Sequence, residues 1–304
     1  MLTYREKDNL IYKLHPLTML ALIGVVFTLS LVLSNPVYLL GLFTAVVILI
    51  AAAEILNEWK VYIKYSMLLV FLIIIINALV VRLGETVLFT SPFLPIAGKV
   101  RITLEALAFS AGMGIRLLTI VSIFCLYTYA IHPDKMLRMF GKRGSRSILI
   151  IILSTRLFPL LMQDYNRITV VQRCRGIKLN TGRWWEKARN LLPVVSALLL
   201  SCLERSLQMA ESMCARGYGS GNRSCYSREL WRPRDFLILI GVTICLIIGI
   251  ISALKGWSNY SYYPRLSGIT LTEAGLTGVM AVTLIVPAIL NWGWKKWPLF
   301  RSKI

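Results

Sequence analysis

The sequence predicts an all-helical polytopic membrane protein, with about six transmembrane helices plus two or three more in one long polar region. Three observations carry this. Hydrophobic residues make up 57% of the chain and charged residues only 16%. Apolar runs recur that are long enough to cross about 30 Å of hydrocarbon as helices. The one extended polar stretch between them keeps a helical period of apolar residues, which a solvated linker would not.

Taken in order, the predicted spans are residues 17–33, 37–53, 65–81, 105–131, 236–254 and 274–290. The first is read as a retained anchor. Its flank, Tyr4 to His15, is longer and more acidic than the start of a secretory leader, and no small-residue cleavage site follows. Residues 84–98, with Pro92 and Pro95, read as an outside loop. So do residues 256–268, whose Trp257, Tyr260, Tyr262 and Tyr263 suit a lipid headgroup layer. The run 148–153 is too short to span and stands just before Arg156 and Pro159, at the start of the polar region. Three regions result: 1–131 with four spans, 132–235 as a cytoplasmic helical segment, and 236–304 with two spans and a basic tail.

The formal charge of +20 invites a nucleic-acid reading, but its placement argues against one. Residues 132–235 hold 19 Lys/Arg against 7 Asp/Glu, an excess of 19 − 7 = 12, and the other polar connections hold far fewer. Excess Lys/Arg marks the cytoplasmic side of a membrane protein. That places the long segment and, with six spans, both termini inside; Lys295, Lys296, Arg301 and Lys303 agree. The six cysteines are scattered singly, so neither a zinc site nor a disulfide framework is expected. His15 and His132, the only histidines, lack nearby carboxylates or thiolates, and no metal site is expected.

Within the polar region, Leu192, Val195, Leu199, Cys202, Ser206, Met209, Met213 and Arg216 step alternately by three and four, which draws one face of a helix. Leu200, Leu203, Leu207 and Ala210 widen the stripe, and Glu204, Arg205, Gln208, Glu211 and Ser212 fall on the other side. This stripe reads as packing between helices, and Ser206 and Ala210 are small enough to mark a close crossing with a second helix. That second helix is shorter and runs through Leu161, Tyr165, Ile168, Gln172 and Arg175, with Asp164 and Arg167 spaced to pair. Between the two, the Trp184-Trp185 pair reads as an interfacial anchor. Helices too polar to span and too apolar for water lie against the membrane face or each other.

Both polar-region helices end in the same pair, Arg175-Gly176 and Arg216-Gly217. An arginine at a helix C-terminus with glycine just after it puts a fixed positive fork beside the negative helix end. One occurrence would be an ordinary dipole-satisfying cap. Two, in the polar part of an otherwise apolar chain, point to a docking surface for a soluble partner, because the guanidinium can grip a carboxylate through two parallel hydrogen bonds. Gly176 and Gly217 are expected at positive φ.

These endings carry a resemblance. Gln172-Arg173-Cys174-Arg175-Gly176 and Ala210-Glu211-Ser212-Met213-Cys214-Ala215-Arg216-Gly217-Tyr218 resemble the two signature endings of the energy-coupling-factor transporter T component, the family that includes the cobalt-transport CbiQ permeases. His15-Pro16-Leu17-Thr18, His132-Pro133-Asp134-Lys135-Met136-Leu137 and Arg156-Leu157-Phe158-Pro159-Leu160 resemble supporting motifs of that family in the same order, the last opening its first coupling helix. Cys174 stands where the family usually has alanine, a swap that keeps a small residue. The resemblance covers roughly residues 12–250; the last span lies beyond it. It implies an ATP-binding-cassette importer for a vitamin or transition-metal ion in a prokaryotic cell membrane. In such an importer the T component is a non-catalytic scaffold. Arg175, Gly176, Ala215, Arg216 and Gly217 would then dock to two cytosolic ATPase subunits, identical or paralogous. A small membrane S component would bind the substrate, with lipid around both. The chain itself would hold no cofactor, since ATP belongs to the partners.

An enzyme reading fares badly: no span carries paired carboxylates, no Ser/His/Asp set assembles, and no phosphate loop of the GxxxxGK type appears. The membrane-embedded acid to weigh, Glu105, sits at a span boundary. A secondary transporter would place ionisable residues or broken helices at the midplane, and the chain shows little of either. A conventional ABC-importer permease is the nearer alternative, but no Glu-Ala-Ala coupling loop is present. Gly112, Gly114, Gly241 and Gly249 read as close-packing positions.

Overall fold

The structure, a computed structural model, describes residues 9–80, 86–90, 101–131, 135–136, 146–177, 183–220, 231–263, 267–268 and 270–296. Among these the chain is helical apart from one two-stranded ribbon. It divides into two compact units, one of residues 1–133 with 229–304 and one of residues 134–228. The His132–Leu137 motif falls largely outside the described residues, as does the end of the basic tail.

The first unit holds α1 (Pro16–Val32), α2 (Pro36–Ala52), α3 (Leu56–Val80), β1 (Val87–Thr90), β2 (Arg101–Thr103), α4 (Leu104–Ala130), α7 (Pro233–Leu254) and α8 (Leu271–Lys296), preceded by a short 3-10 turn, Leu10–Lys13. Local chemistry sets the helix starts. His15 Nδ1 accepts from Leu17 N–H at 3.2 Å and Asn35 Oδ1 from Val37 N–H at 3.0 Å, each with a proline at the first helical position. Thr103 Oγ1 accepts from Ala106 N–H at 3.3 Å to open α4. α3 packs on α4, α2 on α8 and α4, and α7 on α8 and α1. The glycines read as close-packing positions meet neighbours inside this unit: a methyl at Gly112 would strike Tyr262, at Gly114 Val70, at Gly241 Thr283 and at Gly249 Leu29.

α3, α4, α7 and α8 are long and apolar enough to cross a membrane, whereas α1 and α2, at 17 residues, form shorter apolar helices. Shortness has a structural counterpart at the α1–α2 turn, over which the segment after α7 folds. Ser34 N–H donates to Ser258 O at 3.2 Å, Tyr262 OH to Ser34 O at 3.2 Å, and Asn35 Nδ2 to Glu273 Oε2 at 2.9 Å. Arg116, inside α4, donates to Leu33 O at 2.9 Å and so satisfies the C-terminus of α1. Tyr262 is therefore drawn into the fold instead of standing in a headgroup layer, and burial pushes its phenol pKa up, keeping it a donor. The expected loop at 84–98 contributes a strand: Val87–Thr90 pairs antiparallel with Arg101–Thr103.

At the opposite ends of these helices a second polar junction forms. Asp235 accepts from His15 N–H at 3.1 Å and from Arg232 N–H at 3.1 Å, the fully buried Arg234 donates to Lys13 O at 2.8 Å, and His15 stacks on Trp231 at 4.4 Å. Asn291 in α8 closes it, accepting from Leu10 N–H and donating to Ala52 O. The N-terminal segment is thereby tied to the start of α7 and the end of α8.

The second unit is built on two packed helices, α5 (Arg146–Cys174) and α6 (Trp184–Ala215). α5 is much longer than the sequence reading: the run 148–153 is its first turns, and Arg156-Leu157-Phe158-Pro159-Leu160 lies in its middle instead of opening it. Pro159 lies inside this helix: proline removes only one backbone hydrogen bond, and the helix runs on past it.

Two arginine-capped helix ends as the candidate functional site

α5 and α6 close in the same way. At the end of α6, Arg216 holds φ −84° and ψ 8°, and Gly217 turns left-handed at φ 74°. Gly217 N–H donates to Cys214 O at 2.9 Å and Tyr218 N–H to Met213 O at 3.0 Å. At the end of α5, Gly176 has φ 87°, its N–H donates to Arg173 O at 3.0 Å, and Ile177 N–H donates to Gln172 O at 3.2 Å. Both are complete Schellman motifs, in which the left-handed residue is glycine because a Cβ there is strained. The arginines stand at the cap, one place beyond the last helical residues Cys174 and Ala215. Both side chains are exposed, and among the described residues neither guanidinium has a hydrogen-bond or ion-pair partner. Each is a positive fork held at a negative helix end with its donors turned to solvent.

Among the described residues one ion pair joins the two helices between these ends: Arg205 Nη2 to Asp164 Oδ2 at 2.7 Å, with side chains 30% and 23% accessible respectively. Asp164 therefore pairs across to α6 and not with Arg167 along its own helix. At this partial exposure the contact is worth on the order of 1 kcal/mol. Its position matters more: Arg175 lies eleven residues after Asp164, and Arg216 eleven after Arg205. Eleven residues of helix rise about 16 Å, so each arginine tip stands equally far from the tie.

The packed face of α6 differs from the expected one. Val194 is fully buried, and Leu191, Leu198, Arg205 and Met209 are half-buried on the same side. The apolar stripe is turned outward, with Leu192 63%, Leu199 59%, Leu203 62% and Leu207 65% exposed. Ser206 and Ala210 are exposed with it, so neither sits at the crossing with α5. Steps of three and four average 3.5 residues, and against a helix of 3.6 such a seam drifts about 20° per seven residues. It begins on the outer face at Leu192 and touches the half-buried side at Cys202, Met209 and Met213. Arg205, which marked the polar side in sequence, is at the packed face because its partner is Asp164; no local pattern could reveal a partner 41 residues away.

Among the described residues, no three His, Cys, Asp or Glu side chains are grouped to hold a metal ion. Free cysteines include the exposed Cys174 and Cys214, one inside each helix end.

A bundle of long apolar helices together with a helix pair that ends twice in the same arginine-glycine closure defines a multi-pass membrane protein. The residue pattern of the CbiQ family, described as cobalt transport protein, matches residues 7–226, and the chain belongs to that family. Its relatives include proteins named energy-coupling factor transporter transmembrane protein EcfT. That of Clostridium kluyveri is 26% identical over 263 residues, 82% of this chain and 94% of the relative. That of Streptococcus thermophilus is 38% identical, but over 104 residues only, 34% of this chain and 38% of the relative. The protein of Listeria innocua is 28% identical over 158 residues, covering 48% of this chain and 60% of that protein. The chain is accordingly a transmembrane transport component and not an enzyme.

Proposed function

We propose that the chain is the membrane scaffold of an energy-coupling-factor importer in a prokaryotic cell membrane, and that Arg175 and Arg216 dock it to two cytosolic ATPase subunits. The observation that carries the reading is the doubled helix end: the same two-bond closure at Gly176 and Gly217, each presenting an exposed arginine that has no partner among the described residues. Two equal forks fit two equal or paralogous nucleotide-binding subunits offering carboxylates. The Asp164–Arg205 tie supports it further, since a fixed pair transmits a displacement from one tip to the other. A substrate-binding S component, held against the membrane helices, would be moved as the ATPases close. The cargo, a vitamin or a transition-metal ion, is selected by that component.

The scaffold has six spans, α1 to α4, α7 and α8, with both termini and residues 132–235 on the cytoplasmic side. α6 has the length and composition of a span, yet its charge-free stretch, residues 190–203, is fourteen residues. That is about 21 Å of helix, short of about 30 Å of hydrocarbon. We therefore place α6 along the membrane face.

The test is Arg175→Ala combined with Arg216→Ala in the assembled transporter. Breaking one side of a buried arginine–carboxylate contact commonly costs about 2–5 kcal/mol, so the double variant should lose co-purification with the ATPases and ATP-driven uptake. Wild-type assembly and uptake would overturn the docking role. Arg→Lys at both sites should restore only part, because lysine lacks the planar fork.

A further inference from the structure

We propose that the corner where the N-terminal turn meets the starts of α1 and α7 holds the phosphate of an anionic phospholipid, with Arg232 as its exposed grip and Arg234 as the buried charge behind it. Both helices begin here. His15, which caps α1, donates its N–H to Asp235 in the first turn of α7 at 3.1 Å, and its ring stacks on Trp231 at 4.4 Å. Two helix N-termini therefore lie close together, each carrying about half a positive charge. Basic residues suit the other end of a helix, yet Arg232 is the cap of α7 and Arg234 its second residue. Asp235, the carboxylate beside them, spends its oxygens on the backbone N–H groups of His15 and Arg232. Among the described residues neither guanidinium has an ion-pair partner.

The corner is also short of acceptors. Each of the three segments that meet here carries a buried side-chain atom with no hydrogen-bond partner among the described residues. They are Asn9 Nδ2 ahead of the N-terminal turn, Thr18 Oγ1 in the first turn of α1 and Arg234 Nε in the first turn of α7. Arg234 is 2% exposed, and its one bond runs from Nη2 to Lys13 O at 2.8 Å. Buried polar groups without partners are few in native proteins, and an ion is one of the things that accounts for them. All three can donate, so an acceptor is what they lack. A buried guanidinium without a counter-charge is costly, and an anion at the two helix starts offsets that cost. Helix N-termini bind phosphate, and arginine grips it through two parallel hydrogen bonds.

Inorganic phosphate offers the same chemistry, but the surroundings favour a lipid. Trp231 is exposed at the rim, where an indole settles at headgroup level. From Phe236 an exposed apolar ridge runs along α7 through Ile240, Ile244 and Ile247, a path for an acyl chain. The two arginines favour a headgroup without its own cation, as basic pockets between membrane helices do. This inference rests on α1 and α7 being spans and uses none of the docking residues, so it and the docking reading can fail separately.

The experiment uses the full chain, stripped of lipid in detergent and titrated with phosphatidylglycerol, phosphatidylcholine or inorganic phosphate. Native mass spectrometry reads the one-lipid adduct, and thermal unfolding is followed alongside. The expected result is a phosphatidylglycerol adduct several-fold more populated than that of phosphatidylcholine at equal concentration, with a raised unfolding midpoint. Arg232→Gln should lower that adduct several-fold while unfolding like wild type without lipid, because the side chain is exposed. Lys255→Gln, which removes the cation over Trp257 at the far end of α7, should keep it. Equal adducts of the two lipids, a wild-type adduct in Arg232→Gln, or an equal loss in Lys255→Gln overturns the site. Millimolar phosphate that displaces the lipid, or raises the midpoint as far, overturns the lipid as its occupant. Arg234→Lys keeps the charge and removes the Nε–H, and should also lower the adduct; a wild-type adduct there overturns the part given to Arg234. If Arg234→Lys does not fold, Arg232→Gln decides alone.

Discussion

The two glycines that follow the arginines are the residues on which the site geometry turns. Gly217, at φ 74°, permits the hydrogen bonds from its own N–H and from Tyr218 that close α6. Replacing it with alanine forces a side chain into the left-handed region, at a cost of about 1–2 kcal/mol. We expect Gly217→Ala to lower the unfolding midpoint of the detergent-solubilised chain modestly and to weaken ATPase co-purification although Arg216 is intact. An unchanged co-purification would mean that the direction of the arginine is set by the partner and not by the helix end. Glycine after a helix-end arginine was readable in sequence because left-handed caps have few acceptable residues. What the local pattern does not contain is that neither guanidinium finds a partner among the described residues.

For the helix pair, the packed face of α6 makes opposite demands at Val194 and Ala210. Val194 is fully buried, so Val194→Trp overpacks the interior at a cost of about 1–3 kcal/mol. Ala210 is exposed, so Ala210→Trp should leave the stability of the chain within about 0.5 kcal/mol. Thermal unfolding of the two variants side by side checks the assignment; equal losses would put the crossing back at Ala210. The sequence pattern misled here for a physical reason. Amphipathicity shows that a helix has two faces, but in a membrane protein the apolar one need not be the one packed on protein, because lipid covers it equally well. The interhelical ion pair then draws the polar side inward.

Across the whole molecule, segments far apart in the chain are joined by backbone-directed polar contacts. Asp235 accepts from the backbone of His15, 220 residues away, and from that of Arg232. Asp235→Ala leaves two donors without their acceptor, at about 1–3 kcal/mol each if water cannot replace it. We expect a markedly lower unfolding midpoint and protease sensitivity near residue 15, read by limited proteolysis in nanodiscs; wild-type resistance would show the junction to be dispensable. Topology is checked by single cysteines in a cysteine-free chain. Asn259→Cys, exposed on the segment after α7, should react with an impermeant maleimide from outside, and Ser220→Cys should not. Reversed labelling overturns the orientation. Ser258 is a poor probe, since it is 2% exposed beneath the α1–α2 turn.

The sequence by itself determined the class, the six apolar helices to within a few residues of most of their ends, the polar segment and the two arginine-glycine endings. Each of these follows from short-range physics: hydrocarbon thickness sets run length, caps set helix starts, and backbone sterics set the glycines. Only the tertiary structure decided which face of α6 packs, that α5 runs on through Pro159, that Asp164 finds Arg205, and that Tyr262 turns inward over the α1–α2 turn. These depend on what lies opposite each residue in space. A side chain's partner is fixed by packing between segments tens to hundreds of residues apart, and that information is in no local window of the chain.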